Sequence, residues 1–158
     1  MSIRFDVIEN GHFPNGAVVY RDNEFSFDVE PVPTRGLTSF LLNDLSLEVD
    51  KDGNLISIWG LCPYPAWRRG EIQLPNPIRA AVKIRTDLPI LGGISISLNH
   101  GDRWPILYDK ESGWILIRKS RKGDVFVEFL AGAILGISTD GELNSLWLKA
   151  KENLDIRQ

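Results

Sequence analysis

A phrase of eight residues occurs twice in the chain, 88 positions apart. Asp-Gly-Asn-Leu-Ile-Ser-Ile-Trp occupies residues 52–59, and Asp-Gly-Glu-Leu-Asn-Ser-Leu-Trp occupies residues 140–147. Asp-Gly between two apolar runs is a strong local signal for a β-hairpin, because glycine accepts the positive φ that such turns require. The repeat therefore predicts one hairpin design used at two places.

The turn chemistry also predicts the pairing of the strands. A three-residue loop with a bulge at the glycine, Gly53 in one copy and Gly141 in the other, keeps apolar side chains on one face. This register predicts five cross-strand pairs, which are Val49 with Leu55, Leu47 with Ser57, Leu45 with Trp59, Ile137 with Leu143, and Ala133 with Trp147. Both tryptophans are thereby expected on corresponding buried faces.

Alternation of apolar and polar residues dominates the rest of the chain, as in Ile94–Leu98 and Val125–Phe129. A period of two is typical of strands with one buried face. The best helical segments are two short pieces near Leu37–Asn43 and Lys149–Asp155. We therefore predict a mostly β fold with little helix, an antiparallel β-sandwich or twisted barrel built of hairpins and meanders with an internal pseudo-repeat.

The 158 residues fit a single domain spanning residues 1–158. Residues 62–77 contain four prolines and are predicted to form a long loop or crossover, the seam between two similar halves. Cys62 is the only cysteine and is expected to be a small buried hydrophobe. No signal peptide or membrane-spanning run is apparent, so a reducing cytoplasm is the expected location.

Charge is distributed unevenly along the chain. Residues 1–60 carry 10 acidic and 4 basic side chains, whereas residues 61–125 carry 11 basic and 6 acidic ones. Such blocks can give a folded domain one acidic and one basic face, which would steer charged partners. If the strands of the two blocks interleave, the charges average out instead.

The acidic side chains before the first Asp-Gly turn resemble the start of a calcium loop. Glu48, Asp50 and Asp52 precede Gly53 with suitable spacing, but the position that needs a bidentate carboxylate is Trp59. The hairpin explains the Asp-Gly pair without an ion. We therefore predict no metal site and no cofactor.

An acid–base site around His100 and Asp102 is the main catalytic hypothesis, because the two side chains share one short loop with Arg103. No Gly-x-Ser-x-Gly elbow or phosphate-binding loop supports it. A turn with an exposed histidine explains the same residues. We therefore predict that the protein is not an enzyme and keep this site as an alternative.

Two other segments carry residues suited to binding. Tyr64, Trp67, Arg68 and Arg69 on the proline-rich loop are of the types enriched at protein–protein hot spots. The basic hairpin tip could contact phosphates through four side chains, Arg118, Lys119, Arg121 and Lys122. Its nearest aromatic residues, Trp114 and Phe126, are expected in the core, which favours a solvated basic turn over a nucleic-acid site. A nucleic-acid-binding β-barrel that works through this tip and Arg68 and Arg69 is kept as a further alternative.

In overall profile, as a small, acidic, β-rich chain without a catalytic set, the sequence is similar to bacterial immunity proteins, which neutralise a partner toxin by binding it. The resemblance implies a partner protein, such as a basic toxin domain. The lack of an apolar run of membrane-spanning length predicts no membrane association. The surface expected to meet this partner combines the acidic residues Glu48, Asp50 and Asp52 with the loop Tyr64–Arg69.

Overall fold

The computed structural model describes residues 2–11, 13–33, 36–120 and 124–151. Within these ranges strands are the main regular structure, and the helix is a short 3-10 turn at Tyr64–Ala66. The strands in chain order are β1 Ile3–Ile8, β2 Ala17–Arg21, β3 Ser26–Glu30, β4 Thr38–Leu42, β5 Leu45–Val49, β6 Leu55–Leu61, β7 Arg68–Arg69, β8 Ile78–Arg79, β9 Ala81–Thr86, β10 Ile94–Ser97, β11 Ile106–Tyr108, β12 Ile115–Arg118, β13 Val125–Leu130, β14 Ala133–Ile137 and β15 Leu143–Leu148.

The strands form three sheets. Sheet I has six strands in the order β10-β4-β5-β6-β3-β2, and sheet II has seven in the order β7-β11-β12-β15-β14-β13-β8. A two-stranded sheet of β1 and β9, here called the linking pair, completes the set. The predicted mostly β fold with little helix is confirmed, and the arrangement is that of a sandwich.

One continuous apolar core includes side chains from all three sheets. Its largest fully buried members include Phe27 and Phe40 from sheet I, Phe129 and Ile117 from sheet II, and Ile84 from the linking pair. These residues alternate with outward-facing ones along their strands, as the period of two requires. The inner faces of the sheets therefore pack on one another, and the outer faces of sheets I and II are left for other contacts.

The prediction of a helical segment near Leu37–Asn43 is wrong. Thr38–Leu42 form strand β4, in which Thr38, Phe40 and Leu42 are buried and the residues between them are half-buried. The strand pairs in parallel with β10, a partner far along the chain. The other helical segment, Lys149–Asp155, lies mostly outside the described residues.

Both Asp-Gly turns have the predicted loop. The Gly53 N–H donates to the Asp50 carbonyl at 3.0 Å, and the Gly141 N–H donates to the Ser138 carbonyl at 3.0 Å. Gly53 has a φ of 85° and Gly141 a φ of 86°, in the left-handed region. The first pair beyond each turn is also as predicted, Val49 with Leu55 and Ile137 with Leu143.

Farther from the turns the predicted register is wrong, because each hairpin contains a further bulge one residue past the first pair. The observed pairs are Glu48 with Ser57, Leu47 with Ile58, Ser46 with Trp59, Leu135 with Leu146, and Ile134 with Trp147. Leu55 and Ile58 are both buried, and they are three positions apart. Regular alternation cannot place both on one face, so the strand accommodates an extra residue.

The extra residue turns both tryptophans to the outer faces of their sheets. Trp59 has 46% of its surface exposed, and Trp147 has 7% exposed. The expectation that Trp59 is buried is therefore wrong. Trp147 is covered, but by a separate apolar cluster on the outside of sheet II and not by the main core.

The tips of the two hairpins dock on the linking pair. The Gly53 carbonyl accepts a hydrogen bond from the Ile84 N–H at 2.8 Å, and the Gly141 carbonyl accepts one from the Phe5 N–H at 2.8 Å. Phe5 and Ile84 lie directly opposite each other in the β1–β9 ladder. The repeated sequence therefore produces two equivalent contacts, one on each edge of the linking pair.

Substitution of the two turn glycines should have unequal effects. A Cβ on Gly53 would lie 2.6 Å from the Ile84 carbonyl oxygen, whereas one on Gly141 would meet the flexible side chain of Arg4. We expect both Gly53→Ala and Gly53→Asn to lower the free energy of unfolding by more than about 1 kcal/mol. Gly141→Asn should be milder, since asparagine tolerates positive φ and Arg4 can move. Urea unfolding measures the difference, and equal losses for the two asparagine variants would contradict it.

The described part of the chain contains no helix that is long and apolar enough to cross a membrane.

Candidate functional site

The outer face of sheet I presents an exposed tryptophan at its centre. Trp59 on β6 faces outward with 46% of its surface exposed, and Leu61 on the same strand and face is 54% exposed. Across the ladder, Trp59 pairs with Ser46 on β5, a small side chain that does not cover the ring. An indole and an isobutyl group therefore stand side by side on an open sheet surface.

A carboxylate holds the indole in place. The Trp59 Nε1–H donates a hydrogen bond to Glu48 Oε1 at 2.6 Å, and hydrogen bonds to ionised groups are stronger than neutral ones. Gly36 lies against the other carboxylate oxygen, so closely that a Cβ at this position would overlap Glu48 Oε2. The absence of a side chain on Gly36 therefore makes room for the Glu48 carboxylate beside the ring.

A second carboxylate approaches from the neighbouring strand. Asp28 on β3 is half-buried, forms an ion pair with Arg21 at 3.6 Å, and accepts the Val29 N–H at 2.8 Å. Asp28, Glu48 and Trp59 line a cleft of about 390 Å³. The aromatic ring thus lies in a cleft that carries acidic groups from the strands on both sides of β6.

Residues 31–33 border this cleft and separate it from a second one. Val32 and Pro33 line both clefts, and Val32 is 65% exposed. The second cleft, of about 480 Å³, is lined by Pro31, by Asp50 and by apolar side chains that include Ile56. Together, Val32, Trp59 and Leu61 give this side of the molecule an apolar surface with acidic neighbours.

The acidic residues predicted to bind a partner reach this surface to different degrees. Glu48 lines the Trp59 cleft, and Asp50 lines the second cleft. The Asp50 carboxylate is engaged in the turn, since its Oδ1 accepts the Asp52 N–H at 2.9 Å and the Asn54 N–H at 3.0 Å. Asp52 is exposed at the hairpin tip. Glu48 is therefore the member of the set that contacts the exposed ring.

The acidic part of the sequence remains together in the fold. Residues 17–61 contain all of β2–β6, which are five of the six strands of sheet I. This stretch has 8 acidic and 3 basic residues. Its charge is therefore concentrated in one layer of the sandwich.

Trp67, predicted to anchor a partner, is instead part of the core. The ring is 5% exposed, and its centroid lies 5.3 Å from that of Tyr20 in sheet I and 5.3 Å from that of Tyr108 in sheet II. The proline-rich segment passes from one sheet to the other, and the indole fills the space between them. Because the ring is covered on both sides, it is not accessible to a partner.

The other residues of that loop are divided between core and surface. Tyr64 is half-buried, and its ring packs on Phe25 with centroids 5.3 Å apart. Arg68 and Arg69 are exposed in β7, at one edge of sheet II. Burial raises the pKa of the neighbouring Cys62 thiol to about 12, so the thiol stays protonated at neutral pH and is a buried hydrophobe as predicted.

The described residues of the basic hairpin tip line two different clefts. Arg118 lines a cleft on the outside of sheet II, and Lys119 lines a different cleft together with His100. Arg121 and Lys122 lie outside the described residues. Trp114 and Phe126, expected in the core, are half-buried members of the outer cluster of sheet II.

That outer cluster explains why Trp147 is covered although Trp59 is not. Ile72, Leu116 and Ile134 pack around Trp147, and the Phe126 ring meets it edge-on with centroids 6.1 Å apart. On the corresponding face of sheet I, no comparable cluster of described residues covers Trp59, which remains 46% exposed.

A hydrogen bond holds the crossover segment against sheet II. The Ile72 N–H donates to Asp109 Oδ2 at 3.0 Å. This bond is the main reason why the pKa of Asp109 lies below its usual range. A lowered pKa means that the bond stabilises the fold at neutral pH and that its contribution is lost as the pH falls through the folded-state value.

The proposed catalytic residues are placed in a turn. The His100 N–H donates to Ser97 Oγ at 2.9 Å, and the Asp102 N–H donates to the Asn99 carbonyl at 2.8 Å. Arg103 forms its ion pair with Asp44 at 3.0 Å. His100 lines a polar cleft, but Asp102 is not among the residues that line it.

The described part of the chain holds no group of three or more histidine, cysteine, aspartate or glutamate side chains suited to a metal ion. No protein-family model matches the sequence, and no curated protein matches it.

Of the residues on this surface, Glu48 was predicted from the sequence as a binding residue, and Trp59 was assigned to the core. Asp28, Val32 and Leu61 were not predicted as site residues. The available signal was the three-residue spacing of Leu55 and Ile58, which indicates a bulge and hence an outward Trp59. No local pattern links Asp28 to Glu48, because only the order of strands in sheet I brings them together.

Proposed function

We propose that this protein is a protein-binding domain that uses the outer face of sheet I, and that it acts as an immunity-type inhibitor of a partner toxin. The observation that carries the proposal is the contrast between the two equivalent tryptophans. Trp147 is covered by the chain's own cluster, whereas Trp59 is exposed and fixed beside Glu48. A ring held in position without cover is suited to a partner that supplies the cover.

The composition of the surface supports this function. Tryptophan is among the residues most enriched at interface hot spots, and exposed apolar patches with polar rims mark interaction sites. Trp59, Leu61 and Val32 supply the apolar part, and Glu48 and Asp28 supply acidic groups beside it. The hydrogen bond to Glu48 fixes the ring before binding, which lowers the entropy lost on association.

Charge supports a basic partner. The acidic stretch of residues 17–61 is concentrated in sheet I, and complementary charge speeds the encounter of two proteins. The negative charge of sheet I would attract a basic toxin domain, and an inhibitor benefits from rapid association with a toxin. The cleft beside Arg118 is less suited to nucleic acid, because Glu71 and Asp124 line the same cleft and would repel phosphates.

Site-specific photocrosslinking tests this function. With a photoreactive phenylalanine at position 61, which is 54% exposed beside Trp59 on the same face, irradiation of the native cells should give one dominant protein adduct. The matched control carries the same group at Ile78, which is 44% exposed and belongs to sheet II. Adducts of equal yield from both positions, or adducts to nucleic acid from position 61, would contradict a protein-binding surface on sheet I.

A further inference from the structure

Resting on the proposed function, we propose that the cleft lined by Trp59, Glu48 and Asp28 receives the guanidinium group of an arginine on the partner's surface. The three side chains come from β6, β5 and β3, which are adjacent strands in sheet I. The ring therefore has a carboxylate from the strand on each side.

The chemistry of the cleft matches a cation. The face of an indole attracts cations more strongly than the other aromatic side chains do, and arginine is the most frequent partner. Glu48 and Asp28 line the same cleft as the ring, so a cation above the ring would also meet negative charge, chiefly that of Glu48, because Asp28 is already paired with Arg21 at 3.6 Å. An aromatic face and carboxylates acting on one group favour a side chain that can stack and pair at once.

Arginine is better suited than lysine to stack on the ring and pair with the carboxylates at the same time. A guanidinium is planar, stacks on an aromatic ring, is weakly hydrated, and donates several hydrogen bonds in a fixed geometry. Glu48 Oε1 is already engaged by the Trp59 Nε1–H, which fixes the carboxylate relative to the ring. A donor that approaches the cleft therefore meets an acceptor whose position is set in advance.

The size and lining of the cleft fit one long side chain. A volume of about 390 Å³ lies at the lower end of the range for ligand sites. Val32 and Pro33 line its wall and offer apolar contact for the methylene groups of arginine, which commonly lie along apolar surface. The cleft can thus bind the stem and the head of the same residue.

The experiment uses a blocked tripeptide, acetyl-Gly-Arg-Gly-amide, and the ¹H–¹⁵N spectrum of the tryptophan indoles. The chain has five tryptophans, and Trp59→Phe assigns the resonance of interest. We expect the peptide to shift the Trp59 indole signal saturably and to leave the Trp147 signal in place. The same peptide with citrulline, which is isosteric but neutral, should bind at least about tenfold more weakly.

Isosteric variants locate the charge. Glu48→Gln and Asp28→Asn should each weaken binding of the arginine peptide severalfold, and the amide oxygen introduced by Glu48→Gln can still accept the indole hydrogen bond. Asp52→Asn removes one charge from the exposed hairpin tip and should leave the affinity unchanged, which controls for net charge. An unchanged Trp147 signal in each variant shows that the fold is intact.

Each of three results would overturn the inference. They are equal affinity for the arginine and citrulline peptides, no shift of the Trp59 indole signal, and full affinity for the arginine peptide in both Glu48→Gln and Asp28→Asn. Each can be distinguished from failure of the proposed function. If photocrosslinking from position 61 still captures one protein, the face binds its partner through apolar contacts without an arginine. If arginine binds but no protein is captured, the cleft keeps its cation specificity and the protein-binding function is wrong.

Discussion

Replacement of Trp67 by alanine is expected to lower the free energy of unfolding by about 3–5 kcal/mol, the usual cost of removing a buried aromatic side chain. The ring is 5% exposed and contacts aromatic rings from both sheets, with centroids 5.3 Å away at Tyr20 and 6.2 Å away at Phe27 in sheet I and 5.3 Å away at Tyr108 in sheet II. The resulting cavity would lie between the two layers, where neither backbone can easily move to fill it. Urea denaturation at neutral pH measures the loss.

Trp67→Phe is the matched control. Phenylalanine keeps an aromatic ring in the cluster and removes only part of the volume, so the loss should be less than half of that for alanine. A loss below about 1 kcal/mol for Trp67→Ala would place the ring at the surface, since exposed positions rarely contribute more. That result would contradict the core position and restore the loop as a binding surface.

The sequence predicts the local parts of this fold well. Asp-Gly defines the turns at Gly53 and Gly141, because the turn requires a positive φ that few residues accept. Alternation predicts strands because it depends only on which side chains face the core. Both signals act over a few residues, so they can be recognised without knowledge of distant contacts.

The bulges inside the hairpins are harder to predict. Between Leu55 and Trp59 the sequence allows either Ser57 or Ile58 on the core face, and regular alternation favours Ser57. The structure places Ile58 in the core, where it pairs with Leu47. Burial of these two apolar side chains stabilises the fold by more than the disrupted ladder pair at the bulge costs. The balance depends on the opposite sheet, whose position the local sequence does not specify.

The errors at β4 and at Trp67 have the same origin. Thr38–Leu42 is a strand because it lies between β5 and the distant strand β10. Trp67 is buried because the crossover passes between two sheets. In both cases long-range packing decides the outcome, and intrinsic preference is only a weak guide.

The candidate site is likewise a product of topology. Glu48 and Asp28 are 20 positions apart and flank Trp59 only because β3 pairs with β6 and not with its neighbour β4. Acidic composition predicts that this layer carries negative charge. It does not predict that two of the carboxylates share a cleft with an exposed indole.

Replacement of Trp59 by alanine should weaken partner binding and change stability little, whereas replacement of Trp67 should lower stability. We expect binding of the protein captured from position 61 to weaken by about 30-fold or more, since a central hot-spot residue contributes about 2 kcal/mol or more. The free energy of unfolding should change little, because the ring lies outside the main core and is 46% exposed. Calorimetric titration and urea denaturation of the same sample measure the two effects.

Leu61→Ala is the matched control on the same face, at a side chain that is 54% exposed. It removes less apolar surface and leaves the bond between Trp59 and Glu48 intact, so binding should weaken by less than about tenfold, or 1.4 kcal/mol. A partner that binds Trp59→Ala as tightly as the natural protein would show that the interface lies elsewhere. A large loss of stability in Trp59→Ala would instead mean that the ring supports the fold, and its exposure would then need no partner to explain it.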